Sequence, residues 1–223
     1  MPTADTPDTK WKGSREAWLD AAFALLLESG VDSVRILPLA KRLNVSRTSF
    51  YWFFKDREAL LEALIDRWRE KNTQCLIRQT EAYADSIVEA ILNVFDCWLD
   101  PDLFDSQLEF AIRSWALQSD QVAREVDAAD EKRIEALTRM FVQHGYEALA
   151  ANVRGRTIYL TQIGYISMNT QEALEVRMRR MPAYVEIFTG QAPQRHELQR
   201  FHARHGYVPE KAVRQGDDIH QEV

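Results

Sequence analysis

Cysteine, proline and glycine are all scarce, at 2, 7 and 8 of 223 residues. So few cysteines cannot staple a disulfide scaffold, and so little glycine and proline excludes collagen-like or low-complexity chains. Cys75 and Cys97 fall in helical stretches and read as buried free thiols, with a redox switch as the alternative. No CxxC pair exists, which removes a thiolate zinc site. Long apolar runs are lacking too: the longest, Ala21 to Leu27, has seven residues, against about twenty needed to span a bilayer. No membrane partner is expected. The first ten residues are polar and carry Asp5 and Asp8, unlike a secretory leader, so the expected location is cytoplasmic. Positive charge is also short. With 28 basic against 34 acidic side chains, the net charge of -6 excludes a protein that coats nucleic acid by bulk charge. Apolar residues are not lacking, at 46%, enough to bury a core and argue against disorder.

The charge is uneven. Residues 1–75 carry 12 basic and 11 acidic side chains, whereas the remainder carries 16 and 23. Between Ser33 and Arg57 stand Arg35, Lys41, Arg42, Arg47, Lys55 and Arg57, with Asp56 the one acid. That pattern suits an acidic body bearing an anion-binding head, or simply a solvated basic face.

Periodicity is helical throughout, and no strand pattern survives beyond four residues, so the chain reads as all-α. Trp18, Ala22, Leu25 and Leu26 share a helix face that Ser14 can cap and Gly30 can end. A short helix follows from Ile36 to Leu43, with Pro38 tolerable only in its first turn. Asn44 suits a left-handed turn. Val45 points inward, and Ser46 caps a second short helix predicted to reach about Phe53. Asp56 caps a longer helix bearing Leu60, Leu61, Leu64, Ile65 and Trp68. Four or five more helices follow. Their predicted buried faces are Ile87, Ile91, Val94, Phe95 and Trp98, then Leu108, Ala111, Ile112 and Trp115. Next come Val122, Val126, Ile134, Leu137 and Phe141, then Leu149, Val153, Leu160 and Ile163. A stretch broken by Pro182 and Pro193 leads into a polar tail.

Two short helices joined by Asn44-Val45-Ser46 suit a helix-turn-helix, which lays its second helix in a DNA major groove. The run Phe50-Tyr51-Trp52-Phe53-Phe54 sharpens this reading. Five successive residues sweep more than a full helical turn, so some of these rings must be exposed. Phe50 and, in part, Phe54 read as core. Arg47, Thr48 and Ser49 in the first turn can reach base edges, while Tyr51, Trp52, Lys55 and Arg57 can contact the sugar-phosphate backbone.

The stretch Leu39 to Leu64, LAKRLNVSRTSFYWFFKDREALLEAL, resembles the DNA-binding head of the TetR family of transcriptional regulators, TetR/AcrR-like. The resemblance covers residues 11–71. It implies that Arg47, Thr48 and Ser49 face bases, that Tyr51 and Trp52 lie against the DNA backbone, and that Lys55 and Arg57 meet phosphate. Phe53 departs from a usual His or Tyr, Arg35 from a Thr or Ser cap, Leu37 from a polar residue and Asn44 from Gly. The resemblance further implies an N-terminal three-helix helix-turn-helix DNA-binding domain and a C-terminal helical ligand-binding and dimerisation domain. These are expected at 11–71 and 72–190, with a polar, partly helical tail over 191–223. Expected partners are double-stranded operator DNA, a second copy in a homodimer and a small-molecule effector, with no cofactor. The dimer helices are expected at 147–168 and 171–189, where Gly155 and Gly164 would allow close approach.

Phe95, Trp98, Phe110, Trp115, Met140 and Tyr159 are candidate walls of an effector pocket, or plain core. Phe141 shares that ambiguity. Arg113 suits an anionic effector, or an ion pair with a neighbouring helix. No HExxH, GxSxG, P-loop or paired-carboxylate motif appears, so no enzyme is expected. His202 and His205 could share a helix face and hold a metal, but a solvated tail helix is the favoured reading. The remaining alternative is a ligand-binding or interaction module with weakened sequence-specific DNA recognition.

Overall fold

The computed structural model describes residues 13–209. The expectations for the N-terminal ten residues, for the two residues that open the head at position 11, and for the tail beyond 209 lie outside them. Among the described residues the regular structure is entirely helical. The chain divides into two compact units, one up to Thr170 and the other from Gln171.

The first unit starts with α1 (Arg15–Ser29). The Ser14 hydroxyl accepts from Ala17 N at 3.1 Å, and Gly30, at φ 75°, ends the helix with its N–H on Leu26 O. After a 3₁₀ turn, α2 (Ile36–Leu43) accommodates Pro38 in its first turn and stops at Asn44, which is left-handed at φ 54° and ψ 49°. Ser46 Oγ then accepts from Ser49 N to start α3 (Arg47–Phe50).

This helix is shorter than its predicted end at Phe53. Beyond Phe50 the amides of Tyr51, Trp52 and Phe53 each bond three residues back. The tighter winding drops Phe54 as well as Phe50 into the core and swings Tyr51 and Trp52 outward. Asp56 Oδ1 accepts from Ala59 N at 2.8 Å and opens α4 (Arg57–Trp68). Trp18, Leu39, Phe50, Leu60 and Leu64 are fully buried at the centre of these four helices. Trp18 meets the edge of Phe50 at 5.2 Å.

A π-helical turn over Arg69–Gln74 carries α4 into α5 (Cys75–Thr80). Then come α6 (Ile87–Leu99), α7 (Ser106–Ala116), α8 (Asp120–Gln143) and α9 (Ala148–Ser167). Cys75 and Cys97 are buried free thiols, and burial pushes the Cys97 thiol up to about 12. The core of the first four helices continues through Leu108, Ala111 and Ile112 of α7 into Val122, Val126 and Ala129 of α8. The head therefore rests on the body through shared apolar packing.

Helix α9 turns the opposite way from its predicted orientation. Ala151, Gly155, Ile158, Tyr159 and Ile166 are buried, whereas Leu149, Val153 and Leu160 are exposed by 70%, 54% and 53%. Small residues let α9 press against α8: a Cβ on Gly155 would stand 3.1 Å from Thr138 N and 3.2 Å from Leu137 Cβ. Gly155 thus serves packing inside the chain. Of this pair, Gly164, where a Cβ would meet nothing within 4 Å, stays open for an approach from outside.

The second unit holds α10 (Leu174–Thr189) and α11 (Arg195–Arg204). Pro182 lies inside α10 without breaking it, at the cost of the backbone bond its missing N–H would have made. After Gly190, Gln194 and Glu197 form the capping box that opens α11, and Phe201 is fully buried. Seven helices follow α4 among the described residues. The short α5 had no signal of its own, being too brief to show a period.

Candidate nucleic-acid interface and the buried polar node

Three basic residues of the 33–57 stretch hold the head's own structure together. Arg42 forms a bidentate pair with Glu28 of α1, both bonds 2.7 Å, and this bond holds the Glu28 carboxyl below its usual range. Arg35 Nε donates to Asp32 O at 2.8 Å. Arg57 donates from Nε to Val34 O at 2.6 Å and from Nη2 to Val31 O at 2.8 Å, stapling the loop after α1 onto the start of α4. Lys41, Arg47 and Lys55 are exposed.

Of the expected base-facing residues, Arg47 and Thr48 are exposed on α3. Ser49 is not. It is 8% exposed, and its hydroxyl donates to Ser46 O at 2.8 Å, so it completes the cap. The reason is angular: Ser49 adjoins Phe50 on the inward side of a single helical turn. Tyr51 and Trp52 stand out from the surface with exposures of 49% and 69%, beside Lys55. Phe53, which departs from the family pattern, is half-buried against the head core.

The effector candidates lie in different surroundings. Phe95 and Trp98 of α6 are buried edge to face, 5.4 Å apart, and Met140 of α8 is buried. Phe110 and Trp115 border a cleft of about 160 Å³ between the end of α1 and α7, with Leu26, Leu27 and Ser114. Arg113 and Tyr159 belong to a third place, a buried polar node that sequence reasoning did not assemble.

At its centre is Glu109, fully buried on α7. Its Oε2 accepts from Trp68 Nε1 at 2.6 Å and from Asn72 Nδ2 at 2.9 Å. Its Oε1 accepts from Arg133 Nη1 at 2.8 Å and from Arg113 Nε at 2.9 Å. Tyr159 Oη accepts from both arginines, at 2.8 and 2.9 Å, and donates to Asp130 Oδ1 at 2.6 Å. Asp130 also pairs with Arg113. The Arg133 guanidinium lies over the rings of Trp68, Phe104 and Tyr159.

Two cations thus meet two carboxylates, with Arg133 and Glu109 fully buried and Arg113 and Asp130 half-buried, the arrangement that makes a buried charge tolerable. Burial alone would raise the Glu109 pKa, yet Arg133 and Arg113 hold it down at about 2. Burial pushes the Tyr159 phenol far up, so it stays a neutral donor. Arg113 is accordingly an ion-pair partner of a neighbouring helix, the second of its two sequence readings. The node left one signal in the sequence: Glu109 and Arg113, four apart, and Asp130 and Arg133, three apart, fall on the inward faces of α7 and α8.

Residues 19–64 match the family described as "Bacterial regulatory proteins, tetR family". The likeness to the tetR family rests on this head. The match spans all of α2, α3 and the Asp56 cap and most of α1 and α4. A curated relative, the tetracycline repressor protein class D of Escherichia coli, is 41% identical over 51 residues, 23% of each chain. The chain matches about a quarter of the length of that relative. Two solved structures share the fold along nearly the whole chain. A transcriptional regulator from Rhodococcus sp. Rha1 superposes with a TM-score of 0.52 at 19% identity, covering 88% of this chain and 100% of its own. AmtR of Mycobacterium smegmatis gives 0.53 at 15% identity, covering 93% and 100%. Among the described residues no cluster of metal-ligating side chains occurs, and no helix is long and apolar enough to cross a membrane.

Proposed function

We propose that this chain is a ligand-responsive DNA-binding transcriptional regulator, a repressor that grips a palindromic operator as a homodimer and is released by a small-molecule effector. The observation that carries the reading is the exposed surface of the helix-turn-helix. Arg47 and Thr48 stand at the start of α3, and Tyr51 and Trp52 project beside Lys55. Large rings exposed next to cations suit a sugar-phosphate wall, and an Arg at the entry of a recognition helix suits guanine O6 and N7. Arg57 adds a phosphate contact through the part of its guanidinium left at the surface. One such helix reads only a few base pairs, so a useful operator needs two.

The exposed Leu149, Val153 and Leu160 stripe of α9 supports pairing with a second copy, because apolar area of this kind is stable when covered. The proposed domains are the DNA-binding head over 11–71 and the effector-binding, dimerising body over 72–190. Within the body, Phe95 and Trp98 on α6 and Met140 on α8 are the proposed effector walls, since these two helices pack together. The effector acts by favouring an arrangement of heads that does not fit DNA, a coupling worth about 1 to 3 kcal/mol in such switches. A repressor among the relatives supports repression as the direction. No catalytic step is assigned, and a DNA partner puts the place of work in the cytoplasm.

Selection of bound duplexes from a random library by the purified chain tests the reading. A recovered two-fold-symmetric motif supports it. Uniform weak binding to every duplex contradicts it and points to a body that works without a specific operator.

A further inference from the structure

The head joins the body through one unbroken helical rod, from α4 through the π-helical turn of Arg69–Gln74 into α5. A π turn spans one residue more than an α turn. Passing between the two forms slides one side of the rod by a residue, a rotation of about 100° with a rise of about 1.5 Å.

The wide turn has a specific result here. Trp68, Asn72 and Thr73 are all buried, although α-helical spacing would put Thr73 about 140° round from Trp68. Each of the three is tied to the body by a polar bond. Trp68 and Asn72 donate to Glu109. The Asn72 carboxamide also brackets Asp105, donating to its carbonyl at 3.0 Å and accepting from its N–H at 2.9 Å. Thr73 Oγ1 accepts from Arg133 Nε at 3.0 Å. Helix propensity does not favour a π turn, so these bonds to α7 and α8 are what hold it. At its other end the same rod begins at Asp56, just after the exposed Tyr51–Trp52 turn.

We propose that Glu109 is a positioning residue for the head: with Arg133 it latches the 69–74 turn in its wide register. Release of the latch lets the turn close to α-helical form and rotates α4 together with the recognition turn. The consequence for DNA rests on the proposed function; the register change does not. The latch sits where Arg113 of α7 and Arg133 of α8 bond the Glu109 carboxylate and Tyr159 of α9 accepts from both arginines, so a rearrangement of the body reaches the head through Glu109.

The test places nitroxides on keto-bearing residues at Glu62 of α4 and Glu131 of α8, both exposed, leaving Cys75 and Cys97 untouched. Deletion of Gln74 supplies the reference for the α register. The full chain should show one distance and the deletion a displaced one. Glu109→Gln, and independently Trp68→Phe, should populate both distances and weaken binding to a selected duplex by tenfold or more. A folded Glu109→Gln or Trp68→Phe protein that keeps only the wild-type distance overturns the latch. A displaced distance with unchanged duplex binding upholds the latch and counts against the head as the DNA-reading element.

Discussion

Trp68, the last residue of α4, donates its indole N–H to Glu109 of α7 at 2.6 Å, and both side chains are fully buried. The helix that starts just after the exposed Tyr51–Trp52 turn therefore ends on a carboxylate that also takes bonds from Arg113 and Arg133. Head and body share that one group as well as a continuous apolar core.

Glu109 should give the fold a pH signature. Its carboxyl is held at about 2 in the folded chain, below the unfolded value of about 4.3. A depressed folded pKa stabilises fully above the unfolded value, and that contribution is lost as pH falls from about 4 toward 2. Urea unfolding midpoints should fall across this window in wild type, and Glu109→Gln should fall less steeply. Identical pH profiles for the two would contradict the assignment.

At neutral pH, Glu109→Gln leaves Arg113 and Arg133 short of a buried counter-charge. The expected loss is about 3–5 kcal/mol of stability. Arg133→Met made alone should cost a comparable amount, and the two together less than their sum, because each strands the other's charge. Chemical denaturation of the three variants measures this; strict additivity would sink it.

Gly155 and Gly164 lie on one helix and should respond oppositely to alanine. Gly155→Ala pushes a methyl group against Thr138 N and Leu137 Cβ and should lower stability by about 1–3 kcal/mol. Gly164→Ala meets open space and should raise it by about 0.5–1 kcal/mol through helix propensity. Thermal melts of the two variants decide.

Trp52 and Arg57 separate surface from scaffold within the head. Trp52→Ala removes an exposed ring and should leave stability within about 0.5 kcal/mol while weakening DNA binding. Arg57→Ala also removes two bonds to the carbonyls of Val31 and Val34. It should therefore destabilise the head by about 1–3 kcal/mol as well as weaken binding to all sequences. Melts beside duplex titrations distinguish the two patterns.

The head was legible in the sequence because its punctuation is local: Ser14, Ser46 and Asp56 cap, Gly30 and Asn44 stop, and each does so in the structure. The aromatic run announced itself by exceeding what one core face can hold. The length of α3 was not legible, since the tightening after Phe50 follows from where Phe54 must go. Helix α9 misled because its large apolar residues, Leu149, Val153 and Leu160, face out, while glycine and alanine make the close contact with α8. The polar node stayed hidden for a related reason. A charge on a helix reads as solvated until tertiary packing brings Asp130 and Arg133 of α8 against Glu109 and Arg113 of α7.

The proposed function requires that α3 read base pairs and that its surroundings grip phosphate. The most direct test compares wild type, Arg47→Ala and Lys55→Ala on a selected duplex and its single-base variants across a salt series. Wild type should lose affinity linearly in log salt. Lys55→Ala should weaken all duplexes alike and reduce that slope by about 1. Arg47→Ala should instead erase discrimination at one half-site position, a preference worth about 1–3 kcal/mol. If Arg47→Ala weakens every duplex equally and the preference survives, α3 is not the reader and the account fails.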